Sequence, residues 1–464
     1  MKNKEQFKRI LSFISSLILM VIFALIFANI WYEYYSNTIA LPYYRKGNWL
    51  VIGIYVLIMG LFMKIYGSYK VWYLKTEDAI YSQILSIVCA NIIEYLQISL
   101  IGRNFMAVPP VMMLTILELV FSITWTFAVS FIFRKLYPPR KMVIIYDSTK
   151  LAETLVEKMS LRSDKYIICK AVSISKNNDF NYIVNEIKDF STVVICDIDN
   201  MLRSSLIKYC FQTSKRVYIT PTISDIIVRG AGDVTLFDTP LILCRNNGLS
   251  FEQRFCKRFV DILVSLVAII PLSPIMLICA IAVKLEDGGN ILYKQVRLTQ
   301  GGREFKIYKF RSMIKDAEKD GVPRLATDND SRITKVGAVL RKYRLDELPQ
   351  LFNILKGDMS LIGPRPERPE LTTEYEKTMP EFRFRLRVKA GLTGYAQVTG
   401  RYDTTPYDKL KMDLMYIENY SLLLDLRICF MTLKIILFPV KTNAEELEEV
   451  THQMIKNDDQ DKKK

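Results

Sequence analysis

Long apolar stretches separated by short polar ones make up the first third of the chain. Four runs, roughly Ile10–Tyr32, Asn48–Tyr66, Ala79–Ile101 and Val111–Phe133, approach or exceed the ~20 residues that a membrane-spanning helix requires. The first is too long for a signal-peptide core and lacks a small-residue cleavage site, so it should be retained. Lys2, Lys4, Lys8 and Arg9 precede it, Lys64, Lys70 and Lys75 surround the second loop, and Arg134, Lys135, Arg140 and Lys141 follow the fourth run. The first and third loops carry only Arg45 and Lys46, and Arg103. This asymmetry places the N-terminus and everything after residue 134 in the cytoplasm. Glu94 and Glu118 lie inside the third and fourth runs, where an interhelical hydrogen bond is the expected use of a carboxylate.

From Lys141 the pattern shifts to short β-rich runs alternating with helical ones. MVIIYD, YIICKAVSI, TVVICD and RVYIT read as buried parallel strands, and LAETLVEKM and YIVNEIKDF have helical spacing. A small Rossmann-like α/β domain over 141–248 follows. A dinucleotide site would need a glycine-rich turn after the first strand. The turn here is Asp147-Ser148-Thr149-Lys150, so a structural or regulatory role is favoured over cofactor binding.

A fifth apolar run, Phe259–Leu285, is interrupted by Pro271, Ser273 and Pro274 and flanked at both ends by basic residues. An ordinary fifth span is one reading. A re-entrant helix over 259–285 that enters one leaflet and returns is favoured, with the break at Ser273 and Pro274 and the Ser273 hydroxyl bonding a freed carbonyl. Next, ILYKQVRL and REFKIYKFRSM flank Thr299-Gln300-Gly301-Gly302 as an extended pair, drawing Lys306, Lys309 and Arg311 together where they could hold phosphates. Ser421–Phe438 is apolar but carries Asp425, Arg427 and Lys434, which suits an interfacial helix. Residues 441–464 form a charged tail.

Composition narrows the chemistry. The 464 residues carry a formal charge of +15 and 50% hydrophobic residues, with a mean hydropathy of +0.14. An anionic lipid bilayer and phosphorylated substrates fit that charge better than nucleic acid, because the basic residues accompany apolar segments. The eight cysteines show no CxxC spacing and read as unpaired thiols. The single histidine, His452, lies in the tail, which excludes a Ser-His-Asp, Cys-His or multi-histidine zinc mechanism. Carboxylates, basic side chains and a hard metal ion are what remain.

Adjacent carboxylates near arginines are usually surface ion pairs of little weight. Asp346 and Glu347 differ by position. Pro349 belongs in the first turn of a helix, so the helix of LDELPQLFNIL should begin near Asp346. A helix start favours an ionised carboxylate and attracts phosphate, which makes Asp346 a candidate nucleophile towards phosphorus and Glu347 a candidate metal or proton ligand.

With these residues in view, the chain from about Ser250 to Phe438 resembles the bacterial sugar transferase family, the monotopic polyprenyl-phosphate phosphoglycosyl transferases. The resemblance rests on the Ser273-Pro274 break, KFRSM at 309–313, LDELPQLFNILKGDMSLIGPRP at 345–366, GLTGYAQVTGR at 391–401 and the LDLMYIENYSLLLDL run near Met412. Many members carry proline before the GLTG turn, where this chain has Lys389-Ala390-Gly391. The resemblance implies a catalytic α/β domain over 249–440, with the four spans over 1–140 as the extension of larger members. It implies transfer of a sugar phosphate from a nucleoside diphosphate sugar, usually a uridine one, to undecaprenyl phosphate, starting exopolysaccharide or capsule assembly. Asp346 would form a covalent phosphosugar intermediate, and Glu347 would act with Mg²⁺, both carboxylates being its candidate ligands. Lys309, Arg311, Arg365, Lys389, Arg401 and Asp413 would meet the phosphates and substrate. A membrane-tethered nucleotide-sugar dehydratase or epimerase would need the absent glycine turn and a YxxxK pair, which 141–247 lacks. A non-catalytic scaffold or sensor of a glycan assembly complex would leave Asp346 and Glu347 dispensable. Self-association into a homo-oligomer stays open.

Overall fold

The computed structural model describes residues 2–39, 42–43, 45–175, 177–244, 248–314, 330–400 and 404–438. It divides into two compact units, with the boundary between Thr220 and Pro221.

The first unit opens with four helices, α1 (Lys2–Ile30, extended by a wide turn over Trp31–Tyr35), α2 (Arg45–Tyr66), α3 (Thr76–Gly102) and α4 (Pro109–Leu136). Each is long and apolar enough to cross a membrane. Leu19, Phe23, Tyr55, Met59, Ile98 and Leu114 are almost fully buried between them, while Leu25, Leu57, Leu100 and Phe131 face outward. Polar side chains join the helices from inside. Glu118 accepts hydrogen bonds from the Tyr55 hydroxyl and, at 2.7 Å, from Asn91, the interhelical use expected of it. Ser122 and Thr126 both donate to Gln83, at 2.6 and 2.7 Å. Glu94 is fully buried, and neither of its oxygens has a hydrogen-bond partner among the described residues.

Four parallel strands follow, β1 (Arg140–Tyr146), β2 (Tyr166–Ser173), β3 (Thr192–Cys196) and β4 (Arg216–Ile219), in the order β2-β1-β3-β4. They lie where the β-rich runs predict them. Helix α5 (Thr149–Ser160) covers one face through Ala152, while α6 (Phe180–Ile187) and α7 (Asn200–Gln212) cover the other through Ile183, Ile187, Leu206 and Cys210. Helices on both faces explain why the strands read as continuous apolar runs rather than alternating ones.

The second unit begins upstream of the expected boundary near 248. Helix α8 (Ile223–Arg229) buries Ile226 in a core shared with Leu410 and Leu414. Gly230 allows the approach, since a β-carbon there would fall 2.4 Å from Cβ of Glu418. A hairpin of β5 (Gly232–Leu236) and β6 (Thr239–Leu243) is exposed along both strands.

Helix α9 (Phe251–Asp287) runs through Pro271 and Pro274 without interruption, so one helix stands where the sequence suggested a broken one. Pro274 has no N–H to give the Ile270 carbonyl four residues back, and the Ser273 hydroxyl takes that carbonyl instead at 2.8 Å. Packing also continues across the prolines. Lys257, Asp261, Ser265, Cys279 and Val283 are buried, and Ala268, Ile269, Leu272 and Met276 pack into the same unit. These positions recur every three or four residues and mark a single helix face. Phe259, Leu266, Ile270, Leu277, Ile278 and Leu285 lie exposed on the remainder.

The rest of the unit consists of an antiparallel pair, β7 (Leu292–Leu298) and β8 (Glu304–Phe310), then α10 (Lys335–Lys342), a 3₁₀ turn (Leu345–Glu347) and α11 (Gln350–Lys356). Strand β9 (Ser360–Ile362) pairs in parallel with β10 (Gly391–Thr393), and between them lie α12 (Pro369–Thr378) and a 3₁₀ stretch (Pro380–Arg387). Helices α13 (Tyr395–Thr399), α14 (Pro406–Glu418) and α15 (Leu422–Leu437) complete it. Helix α15 coincides with the expected interfacial segment. Arg401 and the tail over 441–464 lie outside the described residues.

Candidate active site

Strand alternation sets the first element of the site. Phe305 and Ile307 of β8 are buried against Leu351 and Ile354 of α11, and Lys309 follows on the same face. Asn353, fully buried on α11, fixes the pairing. Its amide oxygen accepts the Tyr308 N–H at 3.0 Å, and its amide nitrogen donates to the Lys306 carbonyl at 2.8 Å. Lys309 is thereby aimed at the start of α11.

There the chain turns sharply. Arg344 adopts a left-handed conformation (φ 55°), after which Leu345–Glu347 form the 3₁₀ turn and α11 proper starts at Gln350. The carboxylate pair therefore sits in a tight turn just ahead of the helix, not in its first turn. The reason is visible in the bonding: Glu347 and Leu348 donate three residues back, to Arg344 and Leu345, and Pro349 has no N–H to extend a four-residue pattern.

The two carboxylates meet different surroundings. Glu347 Oε1 lies 2.9 Å from Lys309 Nζ and 3.8 Å from Arg365 Nη1. Burial would push the Glu347 carboxyl up, but the charges of Lys309 and Arg365 outweigh it and hold it down at about 2. Asp346 is only 9% exposed. Burial raises its carboxyl above the ordinary value, Lys309 pulls the other way, and the Glu347 charge raises it further. One acid is thus fixed as an anion and its neighbour is made more basic, the separation of pKa values that lets adjacent carboxylates take different roles.

Arg365 comes from the turn after β9, and the main chain of that turn is tied down. Arg385 Nη2 donates to the Arg365 carbonyl at 3.0 Å, Arg297 Nη1 to the Pro366 carbonyl at 3.2 Å, and the Leu298 N–H to the Glu367 carbonyl at 3.1 Å. Arg385 is itself held by Asp413 of α14 at 2.8 Å, with Glu367 at 3.6 Å. Asp413 is buried, and that burial, opposed by Arg385, pushes its carboxyl up to about 6.

Lys309, Asp346, Glu347 and Arg365 are therefore gathered in one place. Asp413 supports the Arg365 turn from behind through Arg385. Arg311 packs at the junction of α9 and β7, where a β-carbon on Gly289 would fall 2.0 Å from its Nη1. Lys389 lies at the far end of α11, facing the Gly357 turn beside Arg258, which donates to the Ile354 and Leu355 carbonyls at 2.5 and 2.7 Å. Ser273 and Pro274 are on the exposed part of α9, away from the carboxylates in sequence and packing. Arg385 and Asn353 escaped the sequence reading. One of the three arginines in FRFRLR and an asparagine inside a short helix carry no motif; only their near-complete burial marks them.

The donor set fits a hard cation of limited protein ligation. Glu347 has one oxygen committed to Lys309, and among the described residues no group of three or more metal-ligating side chains is present. Mg²⁺ takes one or two carboxylates and fills its shell with water and substrate phosphates, which is the kind of site two adjacent acids can offer.

Comparison with known proteins agrees with the geometry. Residues 252–439 match the family model described as bacterial sugar transferase. The chain is 46% identical over 186 residues to a UDP-N-acetylgalactosamine-undecaprenyl-phosphate N-acetylgalactosaminephosphotransferase of Aeromonas hydrophila, covering 39% of this chain and 44% of that protein. It is 42% identical over 210 residues to a UDP-glucose:undecaprenyl-phosphate glucose-1-phosphate transferase of Klebsiella pneumoniae, covering 44% and 43%. A third relative, an undecaprenyl-phosphate galactose phosphotransferase of Salmonella typhimurium, is 36% identical over 239 residues, covering 48% and 49%. In each case the chain spans less than half of the relative's own length.

Proposed function

We propose, from the match of residues 252–439 to the bacterial sugar transferase family, that the protein transfers a sugar 1-phosphate from a uridine diphosphate sugar to undecaprenyl phosphate. The observation that carries the reading is the unequal carboxylate pair, a buried and more basic Asp346 beside a Glu347 held ionised by Lys309 and Arg365. Names of relatives that carry three different sugars support the reaction class and leave the sugar open.

In this mechanism an Asp346 oxygen attacks the sugar-linked phosphorus. The bond to the bridging diphosphate oxygen breaks, and uridine monophosphate leaves with the electron pair. A phosphate oxygen of undecaprenyl phosphate then attacks the same phosphorus and releases the Asp346 carboxylate. Lys309 and Arg365 face the negative charge that accumulates on the phosphoryl oxygens, where preorganised donors act most strongly. Mg²⁺, held by Glu347 and Asp346 together with the substrate phosphates, would supply further neutralisation of the diphosphate.

The lipid acceptor requires a catalytic unit at the membrane surface. Helix α9 keeps one face on the catalytic unit on both sides of Pro271 and Pro274. A helix that left the unit to cross a bilayer would not. We infer that α9 enters lipid from the cytoplasmic side with its exposed apolar residues, while α1 to α4 span the bacterial inner membrane.

The test uses the full chain in nanodiscs with undecaprenyl phosphate, Mg²⁺ and a panel of uridine diphosphate sugars, following release of uridine monophosphate. One sugar should give turnover, and Asp346→Asn should abolish it. With the donor alone, the intact protein should gain the mass of one sugar phosphate at Asp346. Wild-type turnover by Asp346→Asn would sink the mechanism.

A further inference from the structure

Helix α9 carries three polar side chains, Lys257, Asp261 and Ser265, that are buried at intervals of four residues. They form one stripe on the face that the helix turns to the catalytic unit. Lys257 donates to Asp425 of α15 at 2.6 Å and to the Tyr416 hydroxyl of α14 at 3.1 Å. The Ser265 hydroxyl has no hydrogen-bond partner among the described residues. Asp261, between them, reaches the strand that leads to Arg365. Its Oδ1 accepts the Ser360 hydroxyl and the Leu361 N–H, both at 3.0 Å.

Ser360 and Leu361 open β9, and Arg365 stands three residues beyond the last residue of that strand. Two donors on consecutive residues thus converge on one carboxylate oxygen. Apolar contacts are non-directional and tolerate sliding or rotation, whereas hydrogen bonds have a narrow range of length and angle. Asp261 therefore fixes β9 against α9 in both rotation and register.

The same helix is bound to the carboxylate side of the site. Arg258 Nη1 and Nη2 donate to the Ile354 and Leu355 carbonyls, in the last turn of α11, at 2.5 and 2.7 Å. Helix α11 has seven residues, ~10 Å, and its other end follows the turn that carries Asp346 and Glu347. Within one turn, α9 thus bonds both α11 and β9. The tips of these two arms meet at Arg365 Nη1 and Glu347 Oε1, 3.8 Å apart. That separation exceeds hydrogen-bond reach, so the ion pair cannot set the spacing by itself. The β7–β8 pair joins the arms as well, through Arg297 at the Pro366 carbonyl and Asn353 at the Tyr308 N–H. What distinguishes α9 is its proposed place in lipid, so that its bond to β9 refers Arg365 to the membrane.

We propose that Asp261 is a positioning residue for Arg365, holding β9 on α9 so that the guanidinium stands at its working distance from Glu347 and the transferring phosphoryl group. That role rests on the transfer reaction proposed above, in which Arg365 faces this group. Asp261 acts through the main chain of β9 and takes no part in bond making.

The experiment is a double-mutant cycle on the full chain in nanodiscs, following uridine monophosphate release from the sugar donor that gives turnover. Asp261→Leu removes the acceptor and leaves the Lys257–Asp425 pair in place. It should lower kcat about 10²-fold, the usual loss of one preorganised donor, and leave KM for the donor within a few-fold. Asp261→Asn keeps an oxygen at the same position and should retain most of the rate. In an Arg365→Ala background, Asp261→Leu should slow release no further, because the side chain it positions is gone. Ser360→Ala deletes one of the two donors, should follow the same pattern with a several-fold loss, and gives the reading if Asp261→Leu does not fold. A wild-type kcat for Asp261→Leu would overturn the role. So would an Arg365→Ala protein, itself slowed, that Asp261→Leu or Ser360→Ala slows again by the same factor as the wild type. Wild-type turnover by Arg365→Ala would instead remove the part given to Arg365 in transfer, and the role of Asp261 with it.

Discussion

The Arg385 guanidinium lies 2.8 Å from the Asp413 carboxylate, with 4% and 2% of the two side chains exposed, and the same Nη2 holds the Arg365 carbonyl. A pair this deep is costly to break from one side, because the remaining charge is left without compensation. Arg385→Ala should therefore destabilise the second unit by about 3–5 kcal/mol. Asp413→Asn keeps the shape and leaves Arg385 the Glu367 carboxylate at 3.6 Å and the Arg365 carbonyl, so it should cost less than Arg385→Ala and still fold.

The same pair gives a pH signature. The Asp413 carboxyl is raised from 3.8 to about 6, chiefly by burial, so it binds its proton more tightly folded than unfolded. Its contribution to stability is complete below the unfolded value and is lost as pH rises through the folded one. Thermal unfolding of the wild type should weaken between about pH 4 and about pH 6 relative to Asp413→Asn. Parallel curves for the two proteins across that window would refute the assignment.

Lys309 carries the next prediction. It is the residue that keeps Glu347 ionised despite burial, and its charge also lowers Asp346. Lys309→Met should raise both carboxyls and remove a donor facing the transferring phosphoryl group. Uridine monophosphate release should fall by about 10²–10³-fold, the usual loss for one preorganised electrostatic donor. Lys309→Arg should retain more activity, because the charge remains within reach of Glu347. Activity of Lys309→Met within a few-fold of wild type would mean that the pairing has no part in transfer.

Reading this chain from sequence alone succeeds where one local property decides and fails where distant residues do. The four long helices were legible because runs near the bilayer length admit few alternatives. The parallel strands were legible because burial on both faces leaves continuous apolar runs. Asp346, Glu347, Lys309 and Arg365 each belong to a dense charged motif, and the fold brings Lys309 and Arg365 to Glu347. The role of Arg385 was not legible: it depends on an acid in α14 and a carbonyl in the turn after β9. Lys389 was grouped with the carboxylates, yet the length of α11 separates them. Two prolines argued for a broken α9, but a neighbouring hydroxyl and a face of packed residues keep the helix whole.

Removal of metal supplies a further prediction. Two carboxylates, one already committed to Lys309, make a poor cage without substrate phosphates. Chelation with EDTA should stop sugar phosphate transfer and leave the melting temperature unchanged. Added Mg²⁺ should stabilise the protein only when a uridine diphosphate sugar is present, by the amount that joint binding dictates. A melting temperature that dropped on chelation alone would point to a protein-built metal site.

The hydrogen bond from Ser273 to the Ile270 carbonyl supplies the last prediction, and it can be tested without any assumption about catalysis. That carbonyl lacks its helical donor because residue 274 is proline. Ser273→Ala should therefore orphan it, at a cost of about 1–3 kcal/mol for a polar group left unsatisfied away from water. On the proposed placement of α9 in lipid, the carbonyl would have no water to turn to. Pro274→Ala supplies a main-chain N–H at the helical position and should make the hydroxyl redundant. Ser273→Ala should then be costly in the wild-type background and near neutral in the Pro274→Ala background, which a double-mutant cycle of unfolding in nanodiscs measures directly. Equal costs in both backgrounds would show that the hydroxyl does not substitute for the missing N–H. The continuity of α9 would then rest on side-chain packing alone, through Leu272, Met276 and Cys279.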